Sequence, residues 1–64
     1  MKYRIEIECD NDAFLNPDGV LDPCAEVASI LRHLCRDHLE LGYEHGTSLF
    51  DTNGNRVGFA EFVS

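Results

Sequence analysis

Residues 22–42, DPCAEVASILRHLCRDHLELG, decide the architecture. Asp22-Pro23 has the form of a helix start, an aspartate N-cap followed by proline at the first helical position, where its fixed φ suits the helix and its missing N–H costs nothing. Val27, Ile30, Leu31, Leu34, His38 and Leu41 fall on one stripe at helical spacing, flanked by Cys24, Ala28, Cys35 and Leu39. Glu26, Ser29, His33, Arg36, Asp37 and Glu40 are expected to face water. Asp22 and Glu26 near the start, and Arg32 and Arg36 later, suit the helix dipole. Gly42 stands where a left-handed cap is needed. The pattern predicts a helix over 23–41.

Upstream, Tyr3, Ile5, Ile7 and Cys9 alternate with Lys2, Arg4, Glu6 and Glu8, the period of a half-buried strand over 2–9. Downstream, 47–51 and 56–63 read as two strands around Asn53-Gly54, a tight-turn pair. A two-residue turn there sets Asp51 opposite Arg56. The last strand is apolar on both sides, with Val57, Phe59 and Val63 alternating with Ala60 and Phe62, so its register stays open. The order strand, helix, strand, strand implies a single α+β domain over 1–64. One helix packs on a three-stranded antiparallel sheet with the last strand central. A chain of 64 residues buries only about 60% of its unfolded surface, so its core is thin.

The connection 10–22 contains Asn16-Pro17-Asp18-Gly19, where proline pre-sets the second turn position and glycine permits the exit. Ala13, Phe14, Leu15, Val20 and Leu21 are expected to tuck this loop against the core.

Charge is distributed unevenly. The chain has 12 acids against 5 bases, a formal net charge of −7. Glu6, Glu8, Asp10, Asp12, Asp18, Asp22 and Glu26 lie between Ile5 and Leu31 with no lysine or arginine among them. Such a field repels nucleic acid and anionic membrane and attracts basic partners. No apolar run approaches the ~20 residues that cross a bilayer, and the amino terminus has no apolar signal core, which suggests a cytoplasmic protein. The cysteines, at 9, 24 and 35, are odd in number and form no Cys-x-x-Cys pair. On a helix, Cys24 and Cys35 are ~16 Å apart in rise, too far for a disulfide. Free, buried thiols are expected.

Cys35 and His38 share a helical face, but Cys9, Cys24, His33 and His45 do not complete a zinc pattern, and His38 reads as a hydrogen-bonded core residue near the helix end. The oxygen-rich run Asp10-Asn11-Asp12 and Asn16–Gly19 lacks the spacing of a calcium loop. Neither metal nor cofactor is implied. No phosphate-binding loop or paired nucleophile and base is evident, and Glu6 and Glu8 on an open strand lack a cleft to tune them, so the chain reads as non-enzymatic.

With Asp22 assigned to the helix cap and Glu26 to its dipole, five acids have no local explanation: Glu6, Glu8, Asp10, Asp12 and Asp18. They are the candidate partner-binding residues. Glu6 and Glu8 stand ~6.6 Å apart on one strand face, against one phosphate per ~3.4 Å along a DNA strand. That is a sparse imitation of DNA, so specific binding needs apolar anchors as well. Phe14, Tyr43, Phe50 and Phe59 are the candidates.

Arg4-Ile5-Glu6-Ile7-Glu8, Asp10-Asn11-Asp12-Ala13-Phe14, Glu26-Val27-Ala28-Ser29-Ile30-Leu31-Arg32 and Asp51-Thr52-Asn53-Gly54-Asn55-Arg56-Val57-Gly58 together resemble a group of small phage- and prophage-encoded proteins. Small acidic phage proteins of this size include anti-CRISPR inhibitors, and the chain is similar to one acting on a type I system. The resemblance implies an inhibitor that binds the CRISPR surveillance complex, a basic nucleoprotein of the host, and blocks its target DNA; the chain itself is expected to be a monomer. It carries over no site residues. A reading of another class is a structural or regulatory interaction module using an apolar sheet face, as a homodimer.

Overall fold

The computed structural model describes residues 1–64. Its elements are β1 (Lys2–Ile7), a 3-10 turn (Asp12–Phe14), helix α1 (Pro23–Leu34) continuing into a π-helical turn (Cys35–Leu39), β2 (Thr47–Phe50) and β3 (Arg56–Val63). The sheet is antiparallel in the order β1-β3-β2, with the last strand in the centre as its apolar sequence requires.

Cross-strand partners define the two sheet faces. Tyr3 pairs with Phe62, Ile5 with Ala60 and Ile7 with Gly58 on one side of β3, and Thr47 pairs with Ala60 and Leu49 with Gly58 on the other. These side chains share the face that meets the helix. Lys2, Arg4, Glu6, Ser48, Phe59, Glu61 and Val63 occupy the outer face. A register shift between Leu49 and Phe50 leaves Val57 as an extra residue in β3. Val57 is buried with Ala60. A bulge lets one strand turn consecutive positions off strict alternation, which resolves the register left open by the two-faced sequence.

Phe14, Ile30, Leu34, Leu49, Val57 and Ala60 form the core, with Tyr3, Ile7, Cys9, Ala13, Val27, Leu31 and Leu39 packed around it. Phe14 is 0% exposed and is the largest side chain wholly enclosed. The Tyr3 ring leans on Phe62 at 4.6 Å between centroids, and its buried hydroxyl has no hydrogen-bond partner. Burial, with Cys35 contributing, holds the Tyr3 phenol above its usual pKa, so it remains neutral.

Helix α1 begins at Pro23, but Asp22 does not cap it. Its side chain makes no hydrogen bond to the first turn, and its backbone N–H instead donates to the Phe14 carbonyl at 2.8 Å. The other end follows the expected chemistry. Gly42 has φ +83°, Tyr43 N–H donates to the His38 carbonyl (3.2 Å) and Gly42 N–H to that of Leu39 (3.0 Å), the bond pair of a Schellman motif. Tyr43 packs edge-on to His38, supplying the contact that accompanies this cap. His38 is buried, with Nε2 2.7 Å from the His45 carbonyl, so that nitrogen carries the proton and donates. Leu41, expected on the buried stripe, lies past the last helical turn and is exposed.

Two further expectations are corrected. Cys24 and Cys35 are free but exposed, because the packed stripe is narrower than the apolar pattern. Glu26 is buried rather than outward-facing, because the β2–β3 loop folds over it. Thr52 N–H donates to Glu26 Oε2 (2.8 Å), and the Thr52 hydroxyl lies 3.4 Å from Oε1.

Gly58 has no room for a side chain, since a Cβ there would overlap the carbonyl oxygen of Glu6. Gly58→Ala should break the β1–β3 pairing and cost ~3 kcal/mol. Phe14→Ala should cost ~3–5 kcal/mol, which matches the whole stability typical of so small a core. Both variants should therefore lose the cooperative unfolding transition in chemical denaturation followed by circular dichroism. A retained transition near the parent midpoint in either would contradict the packing described.

Candidate functional site

Glu6, Glu8, Asp10, Asp12 and Asp18 are all exposed. Glu6 is on the outer face of β1 opposite Phe59. Glu8 follows the strand, its backbone N–H bound to the Val57 carbonyl at 2.7 Å. Both line a shallow hollow of about 240 Å³ with Arg56. That arginine is engaged elsewhere, with Nε donating to Ser48 Oγ at 3.1 Å and the guanidinium carbon 5.7 Å from the centre of the Phe59 ring. Asp12 opens the 3-10 turn, whose cap is the side chain of Asn11 accepting from Ala13 N–H.

Asp18 sits apart, at the tip of a second turn. Leu15 and Leu21 form a β-bridge, Asn16 N–H donates to the Val20 carbonyl (2.8 Å), and Asn16 Oδ1 accepts from the N–H groups of Asp18 and Val20. Gly19, at φ +80°, closes the turn with a bond to the Asn16 carbonyl. The segment is thus a small internally bonded hairpin.

None of the five carboxylates forms an ion pair or accepts a side-chain hydrogen bond. The one ion pair in the chain joins Arg36 and Asp37 at 3.9 Å, and both side chains are about two-thirds exposed. Arg32 and Arg36 are on the exposed helix surface, and Arg4 faces Glu61 across the outer sheet. The outer face is therefore of mixed sign near the start of β1 and acidic only from Glu6 onward. Phe59 and Val63 are interspersed there with Lys2, Arg4, Glu6 and Glu61, so the outer face is not continuously apolar.

The anchors differ from those expected. Phe14 belongs to the core, and Phe59 is half-buried under Arg56. Tyr43 and Phe50 are exposed, but they belong to the helix end and the β2 edge. The exposed apolar groups that share a turn with one of the acids, Asp18, are Leu15, Val20 and Leu21, exposed by 38%, 60% and 57%. They do not tuck against the core, because the Asn16-centred bonds fold residues 15–21 onto themselves, and of the connection only Ala13 and Phe14 pack inward. Nothing in the sequence separates Val20 and Leu21 from apolar residues that pack inward.

Asp51 was expected opposite Arg56. It is instead the hub of the β2–β3 loop. The pair Asp51 N–H to Asn55 carbonyl (3.0 Å) and Gly54 N–H to Asp51 carbonyl (3.1 Å), with Gly54 at φ +83°, defines a three-residue loop with a glycine bulge. Phe50 thereby becomes the partner of Arg56. Asp51 Oδ1 accepts from Asn53 and Asn55 N–H at 2.9 Å each, and Oδ2 accepts from Asn11 Nδ2 at 2.7 Å and Asn55 Nδ2 at 3.4 Å.

The chain matches no protein-family model, no curated protein sequence and no solved structure. No helix is long and apolar enough to cross a membrane.

Burial alone would raise the Asp51 pKa, but the hydrogen bonds from Asn55, Asn11 and Asn53 outweigh it and hold the carboxyl below its usual 3.8. A depressed folded pKa means that the unfolded chain takes up the proton first. The stabilisation is therefore complete above about pH 4 and is lost as pH falls through the folded value. Asp51→Asn should be less stable than the parent at pH 7, and the gap between the two should narrow steadily below pH 4. Thermal melts from pH 7 to 2 measure this, and a gap independent of pH would refute the assignment.

Proposed function

We propose that this chain is a non-enzymatic, phage-derived inhibitor of the anti-CRISPR kind. In this reading it acts in the host cytoplasm on a basic nucleic-acid-binding complex, a type I surveillance complex, and blocks its access to target DNA. The observation that carries the reading is the set Glu6, Glu8, Asp10, Asp12 and Asp18, all exposed and none in an ion pair, with the first four following one another along the end of β1 and the loop after it. In a 64-residue chain with net charge −7, such carboxylates would steer a cationic groove toward this edge and oppose nucleic acid there. The resemblance to small phage proteins supplies the biological class.

Affinity needs more than charge, because rim charges mainly set association rate and salt dependence. The 15–21 hairpin supports the reading by adding Leu15, Val20 and Leu21 on a turn already held by its own hydrogen bonds, so little ordering entropy is lost when it docks. Acids would orient the complex, and the apolar turn would hold it.

These two parts separate experimentally. Reversing Glu6, Glu8, Asp10 and Asp12 to lysine should weaken binding to a type I surveillance complex by more than tenfold and flatten its salt dependence. The double change Val20→Ser and Leu21→Ser should raise the dissociation rate by roughly tenfold while leaving the salt slope unchanged. Undiminished blockade of DNA binding by the fourfold reversal would rule out the acidic-edge mechanism.

A further inference from the structure

β2 is an edge strand, bonded only to β3, and no backbone hydrogen bond outside the sheet involves Thr47–Phe50. The two edges of the sheet differ. β1 carries Lys2, Arg4 and Glu6, the charges by which edge strands discourage further pairing. β2 reads Thr-Ser-Leu-Phe, holds no charge, and leaves Phe50 55% exposed. Between this edge and the C-terminal half of the helix lies a cavity of about 620 Å³. Ile30 and Leu34 are among its apolar lining, His33 and Asp37 stand on the helix side, and Asp51 lies at its end. A groove between a free strand edge and a helix is the geometry that takes up an extended peptide, with main-chain bonds on one side and pockets for alternate side chains.

We propose that β2 accepts an extended segment of another protein as a fourth strand, with a lysine or arginine of that segment entering the groove toward Asp37. Charge selects the occupant. The groove is lined by no lysine or arginine; of its two carboxylates, Asp51 is already satisfied by the β2–β3 loop and Asn11, and Asp37, about two-thirds exposed, is the one open to an incoming cation. Arg36 reaches Asp37 only along the exposed helix surface, at 3.9 Å, where solvent screens the pair. His33 Nδ1 is directed to the Ser29 carbonyl and His38 Nε2 to that of His45, so neither ring supplies the missing cation through those nitrogens.

A second copy of the chain fits less well. Its β2 brings no cationic residue, and its Leu49, the side chain that would have to fill the groove, is 4% exposed beneath its own helix. An extended segment from elsewhere brings free side chains on both faces. The inference does not depend on the function proposed above, since the groove contains none of Glu6, Glu8, Asp10, Asp12 or Asp18.

The test is a titration of the isotope-labelled full chain with a capped hexapeptide of alternating valine and lysine, followed by amide NMR. A second titration uses glutamate in place of lysine. The lysine peptide should shift the amides of Thr47–Thr52 and of the helix near His33 and Asp37, and should slow hydrogen exchange along β2. The glutamate peptide should bind at least tenfold more weakly. Asp37→Asn, at an exposed position that leaves the core intact, should weaken the lysine peptide by roughly threefold. The proposal is overturned by equal binding of the two peptides, by shifts confined to other surfaces, or by no response at millimolar peptide. Signals of β2 that move with protein concentration alone would also overturn it, by making a second copy the occupant.

Discussion

The carboxylate of Asp51 is the point on which the fold closes. Its two oxygens gather the backbone of the β2–β3 loop and the side chain of Asn11, more than thirty positions earlier. Asn11 in turn caps the 3-10 turn that delivers Phe14 to the centre of the core. One ionised group thus links the turn between the two C-terminal strands to the connection that leads into the helix. Beside it, Glu26 ties the helix to Thr52 of the same loop. With only six apolar side chains enclosed, two buried acids supply long-range specificity that a larger core would obtain from packing. Neutral donors satisfy Asp51, and burial is tolerable on those terms because its lone pairs are used.

Two groups among the twelve acids therefore play opposite parts. Glu26 and Asp51 are interior and build the structure. Glu6, Glu8, Asp10, Asp12 and Asp18 are exterior and build none of it through their side chains. Net charge alone does not separate these roles, and a uniform account of the acids as solubilising surface would misplace Glu26 and Asp51. The exterior set also lies away from the groove between β2 and the helix, so these exposed acids and the recessed slot with its free strand wall are separate parts of the surface.

Local pattern made most of the architecture legible. The alternation in 2–7, the helical stripe from Val27 to His38 and the glycine at 42 each act within a few residues, and each has the structure its spacing implies. The misplaced residues depend on contacts distant in sequence. Glu26 looks solvent-facing on a helical wheel because the loop that covers it begins 26 residues later. Asn53-Gly54 signals a hairpin correctly, but the side chain of Asp51 captures two loop amides and lengthens the turn by one residue, which moves Arg56 opposite Phe50. Exposure of the five acids could be read from alternation and turn chemistry. The apolar anchors could not, since Val20 and Leu21 are indistinguishable by composition from residues that pack inward.

The strand order has a consequence for how the molecule comes into being. β1 and β2 touch only β3, and β3 is the final strand of the chain. Every sheet hydrogen bond therefore waits for residues 56–63, and β1 must remain unpaired while more than forty residues are added behind it. A helix can form early from local bonds, but no partial sheet can assemble around it. Such non-local pairing makes folding slower than in a helical domain of equal length. A chain cut before Gly58 would leave two strands with no partner, because both take their sheet bonds from β3 alone.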